Sequence, residues 1–383
     1  MRSLLFRLCY VLLRALRPSA ASPDAAPVVL MLQYQTPLGC CVHSTPLIAA
    51  LHESIRAQHA DAKLIVATRG MGAQVLAHDP HVTHLLVTSD PSPSLLARWR
   101  VAREIRRQLS TLGMQPTLIV QDATNRAGSN ALLSAMVALA PTAGFADAPE
   151  LYDTHLDYDR SQSLIDNNLR LVALVRSDCA HREPGVHFTT EELAATNSLL
   201  AQLQPDATRI AFVMQGSGGQ RTGWHDDRFA QVLRHVSTRY GRPIFLGTAA
   251  DVPLIKRIEA LAAVEGLSLA GRTTVPQLAA LLTQCDLLVS LDTGTLHVGR
   301  AAGVPLVVLG PCWQPPGEWL PMQLAHARIL RGPDRGSVPP EYRLDEIEPG
   351  AVIAAIDELL RLYPAAVDSR TARAQRLLSQ TRA

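Results

Sequence analysis

A chain of 383 residues exceeds the usual size of one hydrophobic core, so two domains are expected. Hydrophobic residues make up 47%, ordinary for a globular protein, and a net charge of +2 argues against nucleic acid as a partner. Six scattered cysteines (Cys9, Cys40, Cys41, Cys179, Cys285, Cys312) form no CxxC pair, which fits reduced thiols in a cytoplasmic protein rather than a disulfide frame or zinc site.

The amino terminus reads as a basic amphipathic helix. At about 100° per residue, Arg2, Arg7, Arg14 and Arg17 fall within a sector of roughly 140°, with an apolar face opposite. The apolar run is too short to span a bilayer, and the late arginines do not suit a signal-peptide cleavage region. The expectation is contact of residues 1–17 with the surface of the cytoplasmic membrane, peripheral on its inner face. The alternative is a helix packed on the protein itself. A linker rich in Ala, Ser and Pro closes this segment, residues 1–27.

Strands and helices alternate from Val28 onward. Residues 28–32, 63–67, 84–88 and 118–120 read as strands, and 46–59, the Arg-rich 95–109 and 131–139 as helices. Such alternation implies an α/β fold with a parallel sheet covered on both faces. Glu183-Pro184-Gly185 breaks the pattern, residues 189–203 read as a helix opened by Thr189 or Thr190, and Pro205-Asp206 breaks it again. The boundary between domains 28–205 and 206–350 is expected there, with a helical tail over 351–383. In the second domain 210–214, 243–247, 267–269, 287–291 and 306–309 read as strands, and 227–240, 252–264 and 275–285 as helices. Two doubly wound, Rossmann-like halves would hold a ligand in a cleft between their facing strand ends.

Four segments carry chemistry. Asp292-Thr293-Gly294-Thr295-Leu296-His297 reads as a strand end, tight turn and helix start, which aims free N–H groups at an anion. Gly294 lets the backbone approach a phosphate, and Thr293 and Thr295 add hydroxyls. Gln215-Gly216-Ser217-Gly218-Gly219, followed by Arg221 and Trp224, suits a phosphate nest, although it lacks both the P-loop and the GxGxxG patterns. Asp251, behind Gly247, is placed either to take ribose hydroxyls or to cap the next helix. The crossover Leu38-Gly39-Cys40-Cys41-Val42-His43-Ser44-Thr45-Pro46 offers Cys40, His43, Ser44 and Thr45 as reacting groups or acceptor contacts, with a packed His43 as the structural alternative. Asp157-Tyr158-Asp159 lacks supporting ligands for a metal, and no orienting acid near Cys40 and His43 is apparent for a thiol nucleophile.

Together these residues resemble the heptosyltransferases of glycosyltransferase family nine, from about Val28 to Pro321. The specific part is Asp292-Thr293-Gly294-x-x-His297, Ala301-Ala302-Gly303-x-Pro305, Gly310-Pro311 and Trp319-Leu320-Pro321. The order of glycine loop, Trp224, Gly247 with Asp251, and Ala270-Gly271-Arg272-Thr273-Thr274 also fits. The resemblance implies a GT-B fold of two Rossmann-like domains facing across a cleft. It implies inverting, metal-independent transfer of a sugar, typically heptose from ADP-heptose, to a lipopolysaccharide core. The donor is then a substrate, and no further cofactor or metal is expected. The family's donor contacts carry over to Asp251, Asp292, Thr293, Gly294, Thr295 and His297, and the glycine loop adds Gly216, Ser217 and Arg221 as expected donor contacts.

Two departures matter. The family's Gly-Asp-Val-x-His-Thr-x-Pro reads Gly39-Cys40-Cys41-Val42-His43-Ser44-Thr45-Pro46 here, so Cys40 stands where the general base is expected. The family's Lys-x-Trp reads Thr222-Gly223-Trp224, with Arg221 one residue earlier. His43 or Asp122, at the end of the strand 118–120, would then replace the base, and Arg126 would meet an acceptor phosphate. The competing expectations are a nucleotide-sugar-binding protein that has lost transfer, and a different GT-B chemistry such as epimerisation or hydrolysis.

Overall fold

The computed structural model describes residues 2–15, 26–34, 37–92, 94–126, 128–137, 140–146, 149–175, 183–216 and 223–379. The chain forms two compact units, residues 1–184 and 185–383.

In the first unit, apolar runs give the strands β1 (Val28–Gln33), β2 (Lys63–Thr68), β3 (His84–Val87), β4 (Leu118–Val120), β5 (Thr142–Gly144) and β6 (Thr154–His155). They make one parallel sheet in the order β3-β2-β1-β4-β5-β6. Val-Val-Leu-Met-Leu-Gln of β1 lacks polar alternation because a central parallel strand is covered on both faces. Helices α1 (Arg2–Ala15), α2 (Leu38–His43), α3 (Thr45–Gln58), α4 (Met71–Val75), α5 (Leu95–Thr111), α6 (Gly128–Val137) and α7 (Leu164–Leu169) surround the sheet. Leu30, Leu32 and Ile65 of the sheet pack with Val101 and Ile105 of α5 and Leu133 of α6.

The second unit repeats the plan. Its strands are β7 (Ile210–Val213), β8 (Ile244–Leu246), β9 (Leu267–Ser268), β10 (Leu287–Leu291), β11 (Leu306–Leu309) and β12 (Ala327–Leu330), parallel in the order β12-β11-β10-β7-β8-β9. The helices are α8 (Thr190–Leu200), α9 (Asp226–Arg239), α10 (Val252–Ala262), α11 (Val275–Thr283), α12 (Gly294–Ala302), α13 (Pro316–Trp319), α14 (Pro349–Leu362) and α15 (Val367–Leu377). In both units the strand order reverses beside the first strand: between β1 and β4, and between β7 and β10. Loops leaving the carboxyl ends of those strands diverge and open a crevice, the usual ligand position in an open α/β sheet.

Four expectations change. The division falls at Pro184 and Gly185 rather than at residues 205–206, because α8 packs on α11 and Thr196 bonds Gln277. Residues 351–383 are no separate tail: α14 packs on α9, and α15 is anchored by Arg370, which grips Asp286 and the carbonyls of Pro205 and Ala207. The crossover after β1 is not a loop but the short helix α2, leading through Ser44 into α3. Lastly, α1 packs on α6 by one face. Tyr10 is buried, its hydroxyl bonds Thr142, and Arg14 pairs with Asp153 at 2.9 Å. The other face leaves Leu8, Val11 and Leu12 exposed. The linker assigned to residues 19–27 lies mostly outside the described residues. No helix among the described residues is long and apolar enough to cross a membrane.

Candidate functional site

In the second unit, β10 delivers Asp292 to the reversal point and α12 begins two residues later. Thr293 is the N-cap of α12 in extended conformation, and its side chain makes no capping bond, so the first N–H groups of the helix are not closed by their own cap. Gly303 ends the helix in the left-handed region at φ 72°, which turns the chain back into β11. Asp292 and His297 are buried, with Nε2 of His297 3.8 Å from a carboxylate oxygen of Asp292. The other oxygen accepts a 2.8 Å bond from Nε2 of Gln314, on the loop after β11.

Burial pushes the Asp292 carboxyl up to about 6, opposed by the Gln314 bond. Burial, with the charge of Arg300, pushes His297 down to about 3. At neutral pH the pair is therefore an ionised aspartate beside a neutral imidazole. The positive potential of the site comes from the α12 N-terminus, not from His297. A carboxylate held there suits sugar hydroxyls better than phosphate oxygens.

Gly216 follows β7, whereas Ser217, Arg221 and Thr222 lie outside the described residues. Trp224 is buried against Phe229 and donates to the carbonyl of Ile347, an anchoring role. Asp251 does what a capping residue does: its carboxylate accepts from the Thr248 N–H at 2.6 Å and the Thr248 hydroxyl at 2.9 Å. Gly247 has φ 152°, and a Cβ there would lie 2.6 Å from that carboxylate, so glycine is required. The Gly271 N–H donates to the Gly247 carbonyl, tying the β8 and β9 ends together.

In the first unit the reversal point brings the β1 crossover beside the end of β4. Cys40 sits close enough to Asp122 for its charge to act on the thiol. Burial and that charge push Cys40 up to about 12, so it stays protonated and is neither base nor thiolate nucleophile. Asp122 is fully buried and accepts from the N–H and hydroxyl of Thr124. His43 is buried at the end of α2. The hydroxyls of Ser44 and Thr45 donate to the carbonyls of Cys41 and Val42, each at 2.8 Å, and so turn inward rather than toward an acceptor.

Sequence reasoning missed Asn168, at the end of α7. Its side chain accepts from the Ala123 N–H at 2.7 Å and donates to the His43 carbonyl at 3.2 Å, which clamps the β4 loop to α2. A lone Asn gives no signal by itself, and neither does Gln314. Arg126 lies over the ring of Tyr158 at 3.8 Å. Both line a cavity of about 230 Å³ with His155, Asp157 and Arg160, at the strand ends β4 to β6.

Two doubly wound six-stranded parallel units, each with a strand-order reversal beside its first strand, define an α/β protein of the GT-B class. Residues 106–321 match the model of glycosyltransferase family 9 (heptosyltransferase), and the chain belongs to that family. The fold is similar to that of a family 9 glycosyl transferase from Veillonella parvula, with TM-score 0.75, 20% identity and coverage of 90% of this chain and 100% of that one. It is similar also to E. coli ADP-heptose LPS heptosyltransferase II, with TM-score 0.68, 17% identity and coverage of 88% and 99%. A curated relative, the lipopolysaccharide core heptosyltransferase OpsX of Haemophilus influenzae, is 28% identical over 88 residues. That match spans 22% of this chain and about a quarter of the relative's length (25%).

Proposed function

We propose that the protein transfers heptose from ADP-heptose to a lipopolysaccharide-type core acceptor, with inversion at the anomeric carbon. The observation that carries this is the Asp292–His297 turn at the β7/β10 reversal, within the segment that matches the family. The α12 N-terminus would hold the diphosphate and stabilise its charge as it leaves, electrostatic preorganisation that needs no proton transfer. Gly294 and Thr295 supply N–H groups there, and Thr293 a hydroxyl. Asp292 would orient the sugar through a hydroxyl, with neutral His297 beside it. Ser217 and Arg221 are proposed as further donor contacts, and Asp251 as a ribose contact if its cap on Thr248 opens.

Inversion needs a base on the acceptor hydroxyl. Asp122 is a carboxylate whose charge reaches Cys40 across the β1/β4 reversal. We assign it the base and His43 a packing role. Arg126, with Arg160 across the same cavity, would meet an acceptor phosphate. A cavity of about 230 Å³ takes one charged group rather than a whole glycan. The work would be done in the cytoplasm, at the membrane surface where a lipid-linked acceptor is presented, and without a metal.

The test is a transfer assay with ADP-heptose and extracted core acceptor, run with and without chelator. Labelled heptose on the acceptor, with activity unchanged by chelation, is expected. A second reading, donor binding without transfer, is favoured by one observation: Cys40 stands at the base position and is held protonated. Tight ADP-heptose binding with no product on any core acceptor would decide for it.

A further inference from the structure

Helix α5 presents an exposed stripe that is both apolar and basic. Val101, Ala102, Ile105 and Leu109 face the core, at helical spacing. The opposite side carries Leu96, Trp99, Arg103, Arg106 and Arg107, with Leu96 55% and Trp99 45% exposed. An indole left half in water is unfavourable for a surface with no partner, because aromatic side chains carry most of the burial energy at interfaces. Arg103 stacks over that indole at 5.6 Å. None of Arg100, Arg103, Arg106 and Arg107 pairs with a carboxylate among the described residues; the one acid of the helix, Glu104, bonds Ser89 instead.

This stripe is not alone. α6 packs with α5 and with α1, and most of α6 is buried between these neighbours and the sheet. α1 adds the exposed Leu8, Val11 and Leu12, and its sequence contains no acid. Two helices that flank one buried helix thus expose leucines and a tryptophan, with the unpaired arginines on α5.

We infer that α5 and α1 together form a surface that docks on an anionic lipid bilayer, with Leu95, Leu96 and Trp99 entering the headgroup boundary and the α5 arginines meeting lipid phosphates. Two observations select a bilayer over a protein partner. The basic side chains are unneutralised, which a polyanionic surface corrects. The exposed apolar side chains of α5 also share one helix face with its arginines, the arrangement that interfacial insertion uses. No step of the proposed transfer is used in this inference, and it adds α5 to the contact expected from residues 1–17.

The experiment is flotation of the full chain with phosphatidylcholine vesicles, with and without phosphatidylglycerol. Binding is expected only with the anionic lipid, and it should fall as salt is added. Arg103→Glu with Arg106→Glu should weaken partitioning by at least about thirtyfold, from about 1 kcal/mol for each basic residue removed from the surface. Trp99→Glu should weaken it too. Trp99→Phe and the double lysine variant should retain binding, which separates a lipid contact from a fold defect. Bromolipid should quench the wild type more strongly than Trp99→Phe, because the other three tryptophans, Trp224, Trp313 and Trp319, all belong to the second unit and none lies on α5 or α1. Equal flotation of the glutamate variants and wild type overturns the proposal. So does concentration-dependent self-association that these variants abolish without any vesicle binding, since the face would then join copies of the chain.

Discussion

Asp122 bears on Cys40 across the reversal between β1 and β4: burial and the charge of that carboxylate together hold the thiol near 12. Where the family pattern has an acid on the crossover, this protein has a neutral thiol facing an acid from the adjacent strand.

Asp122→Asn should therefore lower kcat by about 10²–10⁴, the usual contribution of a general base, with donor affinity nearly unchanged. Cys40→Asp in the same protein should restore much of the loss. Steady-state kinetics on the two single variants and the double variant check this. Turnover of Asp122→Asn equal to wild type removes Asp122 from the mechanism.

The Asp292–His297 pair predicts an unusual pH dependence of stability. A carboxyl raised to about 6 in the folded state binds its proton there more tightly than when unfolded, so its contribution worsens as pH rises from about 4 to 6. An imidazole lowered to about 3 does the reverse: its contribution is lost as pH falls from about 6.5 toward 3. Between pH 4 and 6 the two oppose each other. Asp292→Asn leaves only the histidine, so the variant should lose more stability than wild type on acidification from pH 7.5 to 4.5. Urea midpoints at the two values measure it, and parallel shifts would refute the assignment.

Donor binding should follow the same carboxyl. A diphosphate esterified at both ends has no proton to exchange near neutrality, so any change in affinity near pH 6 belongs to the protein. Affinity should rise as Asp292 is protonated below about 6 and its repulsion of the diphosphate is relieved; calorimetry should show this rise in wild type and not in Asp292→Asn. Gln314→Leu removes the 2.8 Å bond that favours the carboxylate and should shift this limb to higher pH.

Asn168→Leu deletes both bonds of the clamp and leaves the Ala123 N–H and His43 carbonyl buried without it. A loss of about 1–3 kcal/mol for each group left unsatisfied is expected. Because the clamp positions Asp122, kcat should fall more than KM changes; Asn168→Asp, which keeps the acceptor for Ala123, should fall between.

The buried Arg370–Asp286 pair tests the second unit's closure. Arg370→Met should destabilise by about 3 kcal/mol, toward the low end for a broken buried pair, because Asp286 loses its ion pair but keeps the Arg209 N–H bond and the charges of Arg209 and Arg373. Adding Asp286→Asn should recover part of it, which thermal melts of the single and double variants would show.

The architecture was legible because it rests on local patterns. β4, β10 and β11 lie at the residues read from their apolar runs, and Thr189 with Glu192 forms the capping box that the sequence suggests. The turn into α12 was legible for the same reason, since strand, Gly294 and helix start are contiguous. By itself, then, the sequence determined the alternation of strand and helix and the chemistry available at each strand end. Other outcomes depended on partners distant in the chain. The boundary moved because α8 chose α11, and Ser44 and Thr45 turned inward because their segment coils into α2 rather than remaining a loop. Gln314 and Asn168 acquire meaning only from the Asp292 carboxylate and the His43 and Ala123 backbone. Only the tertiary structure decided the protonation of Asp292, His297 and Cys40, because burial and the charge of neighbours are properties of packing and not of residue type.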